Sequence, residues 1–101
     1  MKVDVKEIDG VCTAVLEGRL DTISAEKCGK DLQPLFDNAA RALALDCSKM
    51  DYISSSGLRI FLALRKEVGV KGGSLVLCGL CDDVRNVFDL TGFSKLFDIK
   101  D

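Results

Sequence analysis

Apolar residues recur along this chain with two different periods, and the places where the period changes mark out its elements. Val3 and Val5 alternate with polar neighbours, which predicts an opening strand through Ile8. Asp9-Gly10 is a strong two-residue hairpin signal. Val11 to Leu16 is a nearly continuous apolar run and predicts a strand buried on both faces, ended by Gly18. The period then lengthens. Asp21-Thr22 offers an N-cap, and Cys28, Leu32, Leu35, Phe36 and Ala39 follow at spacings of three and four, as on one face of a helix. Pro34 lies inside that pattern. A kink is expected there rather than a break, because the apolar spacing continues through it.

Ala42 to Leu45 predicts a short core strand with Asp46 at its end, followed by a loop. Ser54–Gly57 opens a helix running from Ser56 to Val68. Leu58, Phe61, Leu62 and Arg65 form one of its stripes, and Ile60, Leu64 and Val68 another. Gly72-Gly73 predicts a turn and Ser74–Cys78 a strand. Asp82 or Asp83 is expected to cap a further helix carrying Val84, Val87, Phe88 and Thr91, stopped at Gly92. Phe93, Leu96, Phe97 and Ile99 predict a helical turn and a strand stub. Strands alternating with helices after an opening hairpin imply one α/β domain over residues 1–101. Its sheet would be mixed, with the hairpin beside parallel strands and helices packed against it.

Composition narrows the chemistry. A chain of 101 residues fits one domain, and 48% hydrophobic with 30% charged residues reads as soluble and globular rather than disordered. A net charge of −2 recommends no nucleic-acid partner. No apolar run approaches the roughly 20 residues of a membrane helix, and the N-terminus has no signal-peptide core. A cytoplasmic protein with no membrane partner is expected. Histidine is absent, which excludes Ser-His-Asp and Cys-His nucleophile pairs and any histidine metal ligand. The five cysteines are an odd count, four of them in apolar or periodic segments, and reduced thiols are the expectation.

Four places could carry chemistry. Ser54-Ser55-Ser56-Gly57 lies between an apolar strand segment and a helix. On its simplest reading one serine caps the helix and the glycine allows close packing. Three consecutive hydroxyls exceed what one cap needs, and a serine at a helix N-terminus suits a phosphate, because free N–H groups and the helix dipole favour negative charge there. Cys78-Gly79-Leu80-Cys81 matches a thiol oxidoreductase pair in spacing and would place a thiol of lowered pKa at a helix N-terminus. It lacks the proline and the preceding aromatic residue of that motif, and it falls late in the chain. A zinc site would need two more clustered ligands, and no metal or other cofactor is expected. Asp46 is placed like a receiver phosphoaspartate, but the acidic pair and the lysine of such a site are missing. Asp21 is sufficiently explained as a helix cap.

Three segments together resemble one family. Gly18-Arg19-Leu20-Asp21, Leu43-Ala44-Leu45-Asp46-Cys47-Ser48 and Tyr52-Ile53-Ser54-Ser55-Ser56-Gly57-Leu58-Arg59 are similar, in order and spacing, to the STAS-domain anti-sigma-factor antagonists, and Leu90-Thr91-Gly92-Phe93 with Leu96-Phe97 fits that family's C-terminal segment. The resemblance implies a STAS-like mixed sheet with helices, a cytoplasmic protein that is not an enzyme, and a partner-switching role. Unphosphorylated, such a protein binds an anti-sigma factor that is also a serine kinase, and the sigma factor is freed. Phosphorylation ends the complex, and a PP2C-type phosphatase resets it. Aligned on Gly57, the family's Asp-Ser-Ser/Thr-Gly pattern places the phosphorylated serine at Ser55 and Ser54 where the family has aspartate. It implies a partner surface of Asp21, Ser54, Ser55, Ser56, Gly57 and Leu58. The residues alone leave Ser54 and Ser56 as further hydroxyls a kinase could reach. They also leave open the same fold working without phosphorylation in a lipid-transport or sensory assembly.

Overall fold

A computed structural model of the chain describes residues 1–100. In chain order it contains β1 (Lys2–Ile8), β2 (Val11–Leu20), α1 (Thr22–Asp31), α2 (Gln33–Asp37), β3 (Ala42–Ile53), α3 (Ser55–Lys71), β4 (Ser74–Cys78), α4 (Asp82–Thr91), a 3-10 turn (Phe93–Lys95) and β5 (Asp98–Lys100). The five strands form one sheet in the order β1-β2-β3-β4-β5. The first pair is antiparallel and the other three are parallel. Asp9 (φ 51°) and Gly10 (φ 81°) both lie in the left-handed region, as a type I′ hairpin turn requires.

Consecutive parallel strands in spatial sequence, joined by right-handed crossovers, put every helix on one face of the sheet. The aromatic contacts agree. Phe61 of α3 lies 6.2 Å from Phe88 of α4, and Phe88 meets Phe97 edge-on at 5.7 Å, so both helices and the C-terminal turn share one layer. Alternate residues of the strands point into that layer: Ala14 and Leu16, Leu43 and Leu45, Leu75 and Leu77 are all buried. Each fully buried Leu or Phe of this size stabilises the fold by about 1.5–3 kcal/mol.

Several elements depart from the sequence reading. β2 is only partly covered on the face without helices: Thr13 is buried there, but Val11 and Val15 on either side of it are half-buried. Its apolar run reflects a central strand flanked by β1 and β3. Gly18 does not end β2. It bends the strand at a positive φ of 107° beside register shifts in the β2–β3 pairing, and the strand continues to Leu20. β3 likewise runs on to Ile53, so Asp46 lies within it and no loop precedes Ser54. The residues beyond Asp46 read as loop because the continuous apolar run stops there, yet Lys49, Met50, Tyr52 and Ile53 pair with β2. At Pro34 the helix breaks instead of kinking. α1 stops at Asp31, Leu32 caps it, and Pro34 enters the first turn of α2, where its missing N–H costs nothing. α4 is headed by Cys81, with no side-chain cap bond; Asp82 and Asp83 sit in its first turn.

Candidate functional site

β2 and β3 end side by side. Leu20 pairs with Ile53, and the next residue of each strand heads a helix. Asp21 caps α1. Its Oδ1 accepts from the Ser24 N–H at 2.9 Å, and the Asp21 N–H donates to Ser24 Oγ at 3.0 Å, closing a reciprocal capping box. The Ser24 bonds, main-chain first and then hydroxyl, hold the Asp21 carboxyl below the usual aspartate range.

Ser54 caps α3. Its N–H donates to the Leu20 carbonyl at 2.8 Å, and its Oγ accepts from the Gly57 N–H at 3.2 Å. The Ser54 carbonyl takes the first helical bond, from Leu58 at 2.9 Å. The three serines therefore differ in standing. Ser54 is 9% exposed and its hydroxyl is engaged in the cap. Ser56 is half-buried. Ser55, at the first helical position, is exposed, and its hydroxyl has no hydrogen-bond partner among the described residues.

Gly57 sets how closely α3 approaches the strand ends. A Cβ there would meet Leu20 Cγ at 2.6 Å, Leu20 Cδ2 at 2.8 Å and Ile53 Cγ1 at 3.0 Å. Only a residue without a side chain lets the first turn of α3 lie against Leu20, and so brings the Ser54–Ser56 segment beside Asp21. The tie from Ser54 to Leu20 thus joins the two N-caps at the rim of the sheet formed by the C-terminal ends of β2 and β3. Leu58 is 4% exposed and Gly57 is buried. Both hold α3 in place from beneath, while Asp21, Ser55 and Ser56 reach the surface. Asp51 is the extra β3 residue at the irregularity where Gly18 pairs with Met50 and Arg19 with Tyr52. It is exposed at the same end. Sequence reasoning missed Arg19, whose guanidinium stacks 4.4 Å above the exposed Tyr52 ring. The signal lies in the pairing of the two strands, which is not visible along the chain.

The cysteine pair is differently placed. Cys78 is half-buried, and burial first, then nearby Asp46, pushes its thiol pKa up. That is the reverse of what a reactive thiol needs. Cys81 is exposed and its thiol points at the Met50 carbonyl at 3.6 Å. No group of three or more metal-ligating side chains occurs among the described residues. No helix there is long and apolar enough to cross a membrane. The strand order never reverses, so the sheet has no switch point at which a ligand crevice would open. Two open concavities of about 400 and 430 Å³ lie beside the middle and C-terminal part of α3, lined by Arg65, Lys95 and Leu96 among others, and neither is lined by Ser54, Ser55 or Ser56.

The architecture is a small mixed sheet with its helices on one face and a serine-bearing helix start at the end of an inner strand, and comparison with known proteins identifies its family. The STAS domain model matches residues 2–101, and the chain belongs to that family. It is 38% identical over 99 residues to BtrV of Bordetella bronchiseptica, covering 98% of this chain and 85% of that one. It is 32% identical to the anti-sigma-B factor antagonist of Bacillus subtilis, covering 98% and 90%. Among solved structures, a Thermotoga maritima protein superimposes with a TM-score of 0.88 at 22% identity, covering 98% of this chain and 86% of that one. Bacillus SpoIIAA in its phosphorylated form gives 0.72 at 16%, covering 99% and 92%. These two likenesses support the fold.

Proposed function

We propose that this protein is a bacterial anti-sigma factor antagonist, acting in the cytoplasm as a regulatory binding protein, and that Ser55 is its switch. Unphosphorylated, it binds an anti-sigma factor with serine kinase activity through the edge formed by Asp21, Ser55 and Ser56, and the sigma factor is released. The kinase then moves the terminal phosphoryl group of ATP to Ser55 Oγ; the hydroxyl proton and ADP leave. A PP2C-type phosphatase hydrolyses the ester and restores the binding form.

One observation carries this reading. Of three adjacent serines, only Ser55 is both exposed and unbonded, and it stands where a helix start favours added negative charge. Phosphorylation adds about −1.5 to −2 charges there. Against a partner surface that bears acidic groups or a nucleotide, that charge is repelled, and each 1.4 kcal/mol lost is about tenfold in affinity. The domain need not refold. Position 54 also becomes intelligible. It is an N-cap position, where serine and aspartate serve about equally well, so Ser54 keeps the cap while removing the charge.

The test is incubation with the cognate anti-sigma kinase and ATP, with the phosphate mapped by mass spectrometry. Modification at Ser55 is expected, together with loss of anti-sigma factor binding by Ser55→Asp at an unchanged melting temperature. A chain left unmodified, or modified only outside Ser54–Ser56, would overturn the proposal. So would a Ser55→Asp variant that binds like the wild type.

A further inference from the structure

The first turn of α3 contains no acidic residue, and its cap is a neutral, buried serine. The N–H groups of Gly57 and Leu58 are taken by the Ser54 side chain and carbonyl, so by helix geometry those of Ser55 and Ser56 remain open at the helix start. Four residues after Ser55 stands Arg59. It is exposed and forms no hydrogen bond or ion pair among the described residues. Residues at i and i+4 are neighbours on a helix surface, and long helical side chains lean towards the N-terminus. Arg59 therefore stands one turn beyond Ser55 on the same exposed side of α3, with a side chain long enough to reach a group on Ser55.

The geometry points to Arg59 as a positioning residue for the modified serine: a phosphate on Ser55 is held in a cradle made by the open main-chain N–H groups and the Arg59 guanidinium. This inference rests on the reading of Ser55 as the phosphorylated residue. A guanidinium presents a planar fork that suits two phosphate oxygens at once, which a lysine ammonium does not. Other charges at this end of the sheet include Asp21 on α1, Asp51 on β3, Asp82 and Asp83 in the first turn of α4, and Arg19 on β2, and Arg19 is already stacked on Tyr52. Among the described residues, Arg59 is thus the unpaired cation nearest Ser55 along the serine's own helix.

The consequence is a switch that changes two charges at once. Before modification, Arg59 is an unpaired cation on the exposed edge, available to an acidic partner. After it, the phosphate engages that cation, and the edge both gains negative charge and loses an available positive one. The same pairing steadies the doubly ionised phosphate against repulsion from the carboxylates at this end, Asp21 and Asp51.

The test uses the full chain with phosphoserine installed at position 55 during translation, so that no kinase is involved. Phosphorus NMR follows the second ionisation, which lies near pH 6 for an unperturbed phosphoserine. With Arg59 in place, the midpoint should lie lower than in Arg59→Gln by roughly 0.2–0.4 pH units, as expected for an i,i+4 ion pair. Arg59→Lys should recover part of the difference, and the Arg59 Nε signal should move with the phosphate titration. High salt should shrink the effect. Identical midpoints in wild type and Arg59→Gln, or an Nε signal that ignores the titration, would overturn the inference. Failure of a kinase to modify Ser55 would instead count against the proposed function and leave the midpoint result untouched.

Discussion

Replacing Gly57 with alanine tests whether close approach of α3 to the strand ends builds the serine edge. The added Cβ would lie 2.6 Å from Leu20 Cγ and 2.8 Å from its Cδ2. Carbon atoms in good contact stand about 3.5–4.0 Å apart, so the overlap is on the order of an ångström. Leu20 is fully buried and Ile53 nearly so, and neither has free space to retreat into. Overpacking of this kind costs about 1–3 kcal/mol. Alanine returns at most about 1 kcal/mol through its helix propensity, and less in a first turn. A net loss of about 1–2 kcal/mol is expected, which for a domain of this size lowers Tm by roughly 5–10 °C. Thermal melts and urea titrations of the two proteins would measure it. Leu20→Ala alone should cost about 2–5 kcal/mol through its cavity. Combined with Gly57→Ala it should cost less than the sum, because the new methyl enters the vacated space. A Gly57→Ala protein as stable as the wild type, or strictly additive losses in the pair, would refute the packing argument.

Three further outcomes follow from the same geometry. Ser54→Ala removes the side-chain cap of α3 and should cost about 1 kcal/mol in a urea titration, with Ser54→Asn close to wild type. The lowered pKa of Asp21 means that its contribution to stability is present above the ordinary aspartate pKa, about pH 4, and is lost as pH falls through the lower folded value; melting curves of wild type and Asp21→Ala should therefore differ at neutral pH and converge in that acid range. Alkylation of the native protein should mark Cys81 first, whereas Cys28, whose burial raises its pKa to about 11, and Cys47, raised further by burial, should react only on unfolding, as peptide mass spectrometry would show.

The elements whose local signals agreed with their surroundings were legible along the chain. The Asp9-Gly10 turn needs only two residues that tolerate positive φ, and the α1 cap at Asp21 only a side-chain oxygen near its own helix. The 3-10 turn and final strand stub followed from aromatic spacing in the same way. The elements misjudged were those that long-range pairing overrides. The stretch beyond Asp46 read as loop because its continuous apolar run stops, but β2 pairs with Lys49, Met50, Tyr52 and Ile53 and extends β3 to the serines. Gly18 read as a terminator because a lone glycine often is one; its neighbours in β3 turn it into a bend. Pro34 read as a kink because apolar spacing survives a chain break when α1 and α2 pack on the same sheet.

The candidate site divides along the same line. The sequence by itself determined the mixed α/β order, the absence of histidine chemistry, the serine triplet at a helix start, and the resemblance that singles out Ser55. Those properties lie in residue type and short-range spacing. Only the tertiary structure decided which hydroxyl is both exposed and unbonded, because Ser54 is drawn under the end of β2 by its bond to Leu20 and its cap to Gly57 while Ser56 is half-buried. It also decided that Leu58 and Gly57 support the edge from below, and that Asp21 shares it. Burial and adjacency arise between strands more than 30 residues apart, and no local pattern encodes them.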